Sequence, residues 1–331
     1  MAGDAAAFVF SRLPHPDTAA AFVDAATGGS LSFGALRRAA LSLASGLRLG
    51  LGLRRGDAVL ILSPNSLLLP QVILGVLAAG GVAVVIAADA TAAEISAAAH
   101  GAGAVMIVAA PEVAGKVAGV GVPLLLTSRS PDPRTLSAEE LIEGGDPTAL
   151  AAPEASDVAF VAYSSASKTV AMTHADLIAA AAGLSDEGRV CLASLPMCSV
   201  HGLPLLAIGL PAAGVTTVLV SPPSDPKAAR DAVAAHGATD VVAAPEAAAV
   251  LAAPMPQDGK LSSLRRVIVA PAPLAAEARQ EFRRRLPWVE LTEMYGTPEN
   301  ETVRASEEVQ MAPAQLGAPV LTQTDAAAVI Q

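Results

Sequence analysis

The stretch that organises this chain begins with Asp157-Val-Ala-Phe-Val-Ala162 and continues with Tyr163-Ser-Ser-Ala-Ser-Lys-Thr-Val-Ala-Met-Thr-His174. The first six residues form a largely apolar run of the length of a buried strand, and the Ala- and Leu-rich residues 175–184 predict a helix. The polar residues between them are therefore predicted to form a loop from a strand to a helix. Such loops are where α/β sheets bind phosphates.

Four side chains in this loop suit an anion, namely Ser164, Ser165, Ser167 and Lys168. Small hydroxyl residues let backbone amides approach a phosphate closely, and a lysine adds a positive point charge. Lys168 is also one of only four lysines in the sequence. The alternative is an ordinary solvated loop with one lysine, because hydroxyl-rich loops are common between such elements.

Apolar runs alternate with helical patterns on both sides of this loop. Predicted strands cover residues 58–62, 82–86, 104–108 and 122–126 in the first half, and 214–220, 239–243, 265–269 and 289–291 in the second. Short connections between alternating strands and helices predict parallel sheets, so the fold class is α/β with two parallel-sheet lobes. The first lobe, residues 1–186, is predicted to begin with a hairpin around Gly28-Gly29, and the second covers residues 187–305.

Composition narrows the possible partners and compartments. A net charge of −10 and a sequence pI of about 5.0 argue against a nucleic acid or an anionic membrane as a partner. Residues 58–88 carry no charge, but Pro and Gly cut the run into lengths typical of buried strands and short helices. Two cysteines without a disulfide framework suit a reducing compartment. We expect a cytoplasmic protein, because the terminal Val329-Ile-Gln331 is not a peroxisomal Ser-Lys-Leu-type signal.

Several short motifs follow one another along the chain. They are Phe22-Val-Asp-Ala-Ala-Thr-Gly28, Ser63-Pro-Asn-Ser66, Tyr163-Ser-Ser165 with Lys168, Leu195-Pro-Met197 with His201-Gly202, Ala272-Pro-Leu274, and Tyr295-Gly296 with Glu299. Their order resembles the N-terminal portion of the acyl-adenylate-forming (AMP-dependent synthetase/ligase) enzymes, and most closely the plant 4-coumarate:CoA ligase-like group. The resemblance covers roughly residues 20–320. Each motif alone is weak, and the resemblance rests on their occurring together in the same order.

The resemblance implies an enzyme that joins a small carboxylic acid to AMP from ATP, releases pyrophosphate, and passes the acyl group to coenzyme A. ATP, Mg²⁺ and coenzyme A would be its cofactors. By the same resemblance, the nucleotide and its phosphates would contact Ser164, Ser165, Ala166, Ser167, Ala272, Tyr295, Gly296 and Thr297, with Lys168 as the catalytic cation. Ser199 and His201 would contact the acyl group, and Glu299 would bind Mg²⁺. For His201, a polar residue at the edge of an apolar segment is the competing interpretation.

The sequence departs from that group at the phosphates. The group's loop reads Ser-Ser-Gly-Thr-Thr-Gly, then two variable positions and Lys-Gly, whereas Ala166-Ser167-Lys168 follows Ser165 here. Both glycines and about four positions are missing, so we expect the loop to cradle pyrophosphate poorly, since a Cβ restricts the backbone. Pro298 also removes an amide donor beside Thr297.

The sequence also stops before the group's hinge and C-terminal domain, so residues 306–331 are predicted to be a remnant of its β-barrel subdomain. The expectation is therefore a truncated ligase with weak or no activity. The alternatives are a non-catalytic pseudoenzyme lobe that binds a nucleotide or an acyl group, and an active enzyme for a phenylpropanoid or fatty-type acid. The oligomeric state stays open.

Overall fold

The computed structural model describes residues 3–14, 17–132, 135–147, 150, 153–163, 169–181, 188–220, 226–252, 261–295, 304–305 and 320–321. Within these ranges the strands form one sheet of seven strands and one of eight, with helices packed against both. The α/β fold class predicted from the alternating apolar runs is confirmed.

The strands are β1 (Ala20–Asp24), β2 (Ser30–Ser32), β3 (Ala58–Leu62), β4 (Val82–Val85), β5 (Met106–Ala109), β6 (Leu124–Leu126), β7 (Val158–Tyr163), β8 (Thr169–Thr173), β9 (Val190–Ala193), β10 (Thr216–Leu219), β11 (Asp240–Ala243), β12 (Arg266–Val269), β13 (Glu290–Tyr295), β14 (Arg304–Ala305) and β15 (Val320–Leu321). The helices are α1 (Ala5–Arg12), α2 (Phe33–Ser45), α3 (Leu68–Ala78), α4 (Ala92–Gly101), α5 (Ala138–Gly144), α6 (His174–Ala181), α7 (Leu210–Ala212), α8 (Pro226–His236), α9 (Pro245–Leu251) and α10 (Ala276–Arg285). Two π-helical segments, Gly46–Gly50 and Leu203–Gly209, follow α2 and precede α7, and Ala114–Val117 is a 3₁₀ turn.

The first sheet has the order β15-β8-β7-β4-β3-β5-β6. Its central strands are parallel, and every residue of β3 and β4 is buried. That burial explains why residues 58–88 lack charge, since strands covered by helices on both faces are continuously apolar. Within the described ranges, no helix combines the length and the hydropathy needed to cross a bilayer.

The second sheet has the order β14-β13-β12-β11-β9-β10-β1-β2, and its inner strands are also parallel. The hairpin β1–β2 forms as the sequence indicates, but it was expected in the first lobe. Instead, β1 pairs in parallel with β10, with Phe22 opposite Thr217. The hairpin therefore belongs to the second sheet and not to the first lobe. There it covers the edge of β10, which would otherwise expose unpaired amides and carbonyls.

The segment after Tyr163 also differs from the prediction. The sequence suggested a loop that runs directly into a helix, whereas residues Thr169–Thr173 form β8, which pairs antiparallel with β7. Tyr163 lies opposite Thr169, so residues 164–168 connect the two strands of a hairpin. The apolar side chains of Ala171 and Met172 are buried on this strand, and that burial favours pairing over a loop.

One hydrophobic core lies between the two sheets and joins the predicted lobes. It contains Phe22 of β1 in the second sheet and Leu206 of the second π-helical segment, together with Leu36, Ile61 and Phe160 from the first sheet and its helices. Two further cores cover the outer faces of the sheets. Because each fully buried Leu or Phe contributes about 2 kcal/mol, the shared core fixes the sheets against one another.

Two predicted boundaries lie mostly outside the described residues. The division between residues 186 and 187 falls in an undescribed range and stays a prediction. In the predicted barrel remnant, 306–331, the described residues Val320–Leu321 pair antiparallel with β8 of the first sheet. Helix α5 lies in a stretch with no predicted element, although Ser137 and Glu140 form a capping box at its start.

Candidate functional site

The loops that follow parallel strands meet where the two sheets approach each other. Residues 63–66 follow β3 in the first sheet, and residues 194–202 follow β9 in the second. Residues 270–275 follow β12 and lead into α10, beside the end of β13. Because ligands of open α/β sheets bind at the carboxyl ends of strands, this edge is the candidate site.

Asn65 joins the first two of these loops. Its Nδ2 donates to the Leu195 carbonyl at 3.0 Å, and its Oδ1 accepts the Met197 amide at 2.8 Å. Beside this contact, burial raises the pKa of Cys198 to about 12, against the opposing effect of a backbone hydrogen bond from Ser63. The two loops are therefore linked by specific polar contacts inside an apolar environment.

Ser199 closes a tight turn in the second loop. Its hydroxyl donates to the Pro196 carbonyl at 2.8 Å and accepts the Gly202 amide at 2.9 Å. A Cβ added to Gly202 would lie 1.9 Å from the Pro196 oxygen, so only glycine fits there. Ser199 thus closes the turn directly before the following helix, and a single lone pair of its hydroxyl is left for the predicted contact with an acyl group.

His201 lies one residue before Gly202, at the start of that helix. Its side chain is partly buried, and among the described residues nothing hydrogen-bonds to its ring. Burial lowers the pKa of His201, so the imidazole is neutral near pH 7 and carries one N–H donor. The π-helical segment Leu203–Gly209 follows directly and is buried throughout. Such π segments are frequent at functional sites.

The loop between β12 and α10 is held by an ion pair. Glu293 on β13 is 7% exposed, and its Oε1 accepts the Leu274 amide at 2.9 Å. Arg279 donates to the same carboxylate, with Nη2 at 3.0 Å, and also to the Leu274 carbonyl at 3.2 Å. Both peptide groups of Leu274 are thereby satisfied. Ala272, predicted to flank the adenine, is exposed on this loop.

The remaining predicted site residues lie outside the described ranges or at their border. Ser164, Ser165, Ala166, Ser167, Lys168, Gly296, Thr297 and Glu299 lie outside the described residues. Tyr295 is the last residue of β13. The predicted phosphate loop lies between Tyr163 and Thr169, which are paired Cα partners. The hydroxyl of Tyr163 is buried without a hydrogen-bond partner in the described structure, and burial raises its pKa.

The described residues offer no cluster of metal-binding side chains, and both described lysines have other partners. In the described part of the chain, no group of three or more His, Cys, Asp or Glu residues is arranged to bind a metal ion. Lys116 donates to the carbonyls of Ala88 and Ala90, at 2.8 and 3.2 Å, and Lys227 pairs with Asp231. Lys168 lies outside the described residues and stays the predicted cation for phosphates.

Sequence patterns did not identify the roles of Asn65 and Glu293. Asn65 stands in the Ser63-Pro-Asn-Ser66 break between two buried elements, and a buried amide there is itself a signal for a specific partner. Glu293 stands two residues before the predicted site residue Tyr295. Neither residue type reveals its partner, because the partner of Asn65 is 130 residues away.

A family model described as "AMP-binding enzyme" matches residues 11–327. Over 90% of its length, the chain is 34% identical to the 4-coumarate--CoA ligase-like 3 protein of Oryza sativa subsp. japonica, of which it covers 56%. It is 29% identical to a probable CoA ligase, CCL5, of Humulus lupulus, with 92% of this chain and 58% of that one covered. The chain thus spans little more than half the length of these curated relatives.

The fold matches solved ligase structures. A benzoate CoA ligase from Burkholderia xenovorans LB400 superimposes with a TM-score of 0.80 at 24% sequence identity, covering 96% of this chain and 66% of that one. The two sheets therefore form the fold of the N-terminal domain of acyl-CoA ligases, as the sequence predicts.

Proposed function

The chain belongs to the AMP-binding enzyme family, and from that premise we propose that it binds an adenine nucleotide and a small carboxylic acid at the carboxyl edge of its sheets. We further propose that it forms an acyl-adenylate only weakly, or not at all. Both parts of the proposal rest on one observation: the loops at this edge of the sheets differ in how well they are supported. Hydrogen bonds hold the loops around Asn65 and Glu293, whereas only five residues connect the paired strands β7 and β8 at the predicted phosphate loop.

The acyl side would be the loop that follows β9. The neutral imidazole of His201 offers one N–H donor beside the buried, apolar segment Leu203–Gly209. This combination suits an acid with an apolar body, such as a cinnamic or medium-chain fatty acid, because apolar lining with few polar groups gives orientation and affinity.

The nucleotide side would be the loop of residues 270–275 together with the end of β13. The exposed Ala272 leaves space for a flat base, and the ion pair of Glu293 and Arg279 keeps the loop in place. Tyr295 is the last residue of the adjacent strand and stays a predicted contact of the adenine. Adenine recognition would then depend on this side of the edge rather than on residues 164–168.

In the family reaction, a carboxylate oxygen bonds to the α-phosphorus of ATP while the bond to pyrophosphate breaks. A thiol of coenzyme A then displaces AMP from the acyl-adenylate. Negative charge on the phosphate oxygens must be stabilised in the first step, and cations and backbone amides do this. In this chain Lys168 is the candidate cation. Glu299 would hold Mg²⁺, which would supply further charge stabilisation.

The loop length limits that stabilisation. With Tyr163 and Thr169 as paired Cα partners, five connecting residues extend at most about 10 Å beyond the sheet, and nine would extend about 17 Å. The loop also lacks glycine, whose backbone freedom allows several amides to face one phosphate. We therefore expect contacts to the β- and γ-phosphates to be weak.

Calorimetry with AMP and with ATP-Mg²⁺ tests the proposal. Weak phosphate contacts predict that ATP binds no more than about threefold more tightly than AMP, a difference of about 0.7 kcal/mol. Pyrophosphate release with a panel of cinnamic and medium-chain acids should not exceed that of the Lys168→Ala protein. Turnover that depends on Lys168 would instead support an active ligase, and no binding of either nucleotide would reject the nucleotide site.

A loop-lengthened variant provides the matched control. Replacing Ala166-Ser167 with Gly-Thr-Thr-Gly-Ser-Ser adds four positions and restores both glycines. If the short loop is the defect, this variant should bind ATP at least tenfold more tightly than AMP. An unchanged ratio of the two affinities would show that loop length is not the cause.

A further inference from the structure

We infer that Asn65 is the positioning residue of the acyl side of the site, because its side-chain amide fixes the segment Leu195–Gly202 that carries His201. The inference rests on the proposed function for its ligand. The contacts themselves are independent of it, since they are made within the described structure.

One amide group holds the segment from the first sheet. Asn65 is 5% exposed, and it pairs with the Leu195 carbonyl at 3.0 Å and with the Met197 amide at 2.8 Å. These two backbone groups are two residues apart, so Asn65 takes the place of a neighbouring strand. On the other side, the Ser194 amide donates to the Val242 carbonyl at 2.9 Å. The start of the segment is therefore held on both sides.

The turn between Met197 and His201 is tightly packed, so the position of Met197 determines the position of His201. Ser199 bonds to both Pro196 and Gly202, and Gly202 packs so closely that a Cβ would lie 1.9 Å from the Pro196 oxygen. A shift of the segment start therefore moves the imidazole as well. Close packing transmits such shifts rather than absorbing them.

Only an amide of this length satisfies both backbone groups. Leucine would leave a buried carbonyl and a buried N–H without partners, whereas aspartate keeps the acceptor and loses the donor. Gln71 provides a matched comparison. It is 7% exposed, but its Nε2 bonds to the Leu67 carbonyl at 2.7 Å within its own helix. In the described part of the chain, the Gln71 side chain forms no hydrogen bond to the second sheet.

The experiment compares Asn65→Leu, Asn65→Asp and Gln71→Leu in the full chain. Hydrogen exchange of residues 194–203 is measured, together with binding of cinnamate, octanoate and AMP. In Asn65→Leu we expect the Met197 and Gly202 amides to exchange at least tenfold faster. Affinity for the acids should fall at least tenfold while that for AMP stays within twofold. Asn65→Asp should have intermediate exchange rates and an intermediate affinity for the acids. Gln71→Leu should change neither the exchange rates nor the affinities.

Unchanged exchange of the segment in Asn65→Leu would overturn the inference. Equal losses of acid and AMP affinity would also overturn it, because general destabilisation affects both ligands. If the parent chain binds no acid, the acyl part of the proposed function fails, and the exchange result alone decides the role of Asn65. If Asn65→Leu does not fold, the same exchange measurement on Asn65→Asp decides it.

Discussion

Replacing Glu293 with alanine should loosen the nucleotide side of the site. The carboxylate accepts the Leu274 amide at 2.9 Å and pairs with Arg279 at 3.0 Å. Glu293 is 7% exposed, and Leu274 is 3% exposed. After the substitution the Leu274 N–H has no partner, and the Arg279 guanidinium loses its counter-charge.

The size of the effect follows from these contacts. A buried amide left without a partner costs about 1–3 kcal/mol. The Arg279 side chain is 35% exposed, so solvent screens the ion pair and its loss adds only about 1 kcal/mol. The unfolding free energy should therefore fall by about 2–4 kcal/mol, which lowers the Tm by about 3–6 °C for a chain of this length. Glu293→Gln keeps an oxygen for the Leu274 amide and should lower the Tm by only about 1–2 °C.

Thermal unfolding and AMP calorimetry measure the two consequences. Glu281 on α10 provides the control, because this exposed carboxylate pairs with Arg284 and Arg285 inside its own helix. Glu281→Ala should leave the Tm within about 1 °C, as is usual for surface ion pairs. If Glu293→Ala lowers the Tm no more than Glu281→Ala, the proposed support by Glu293 is wrong. If it lowers the Tm but leaves AMP affinity unchanged, residues 270–275 do not bind the adenine.

Three further predictions concern a histidine, a glycine and a cysteine. Burial lowers the pKa of His174, whose Nδ1 accepts a backbone amide of α1, so its contribution to stability is present above about pH 6.5 and is lost as the pH falls below that value. Between pH 7 and pH 5, urea unfolding should show a smaller loss of stability in His174→Asn, which keeps an acceptor without titrating. Equal losses of stability in the two proteins would contradict this. Gly202→Ala should lower the Tm by several degrees, because its Cβ would overlap the Pro196 oxygen, whereas Gly50→Ala meets no atom within 4 Å and should be neutral; similar Tm values for the two variants would refute the packing argument. Cys198 is buried with a pKa raised to about 12, so a thiol reagent at pH 8 should label it only after denaturant is added; rapid labelling of the native protein would show that the loop opens.

Local patterns predicted the elements whose causes are local. The apolar runs of residues 58–62 and 82–86 are β3 and β4, and the predicted helix of residues 175–184 is observed as α6. Thr91 and Glu94 form a capping box at the start of α4. These signals succeed because burial periodicity and helix capping depend on residues that are close in sequence.

Pairing partners were not predictable in the same way. The segment Thr169–Thr173 was expected in a loop before a helix, yet it is a strand whose apolar residues are buried against β7. The hairpin β1–β2 was expected in the first lobe, yet it joins β10, almost 200 residues later in the chain. Pairing of this kind is decided by which edge is free in the assembled sheet, and no short stretch of sequence carries that information.

The sequence by itself determined that this chain forms parallel sheets, that it resembles AMP-dependent ligases, and that residues 164–168 contain no glycine. Only the tertiary structure decided that the strands before and after these residues pair antiparallel, and that Asn65 and Glu293 hold the loops that follow β9 and β12. The physical reason is the range of the interactions. Burial and capping act between neighbours along the chain, whereas a buried amide or carboxylate finds its partner only after distant segments have packed together.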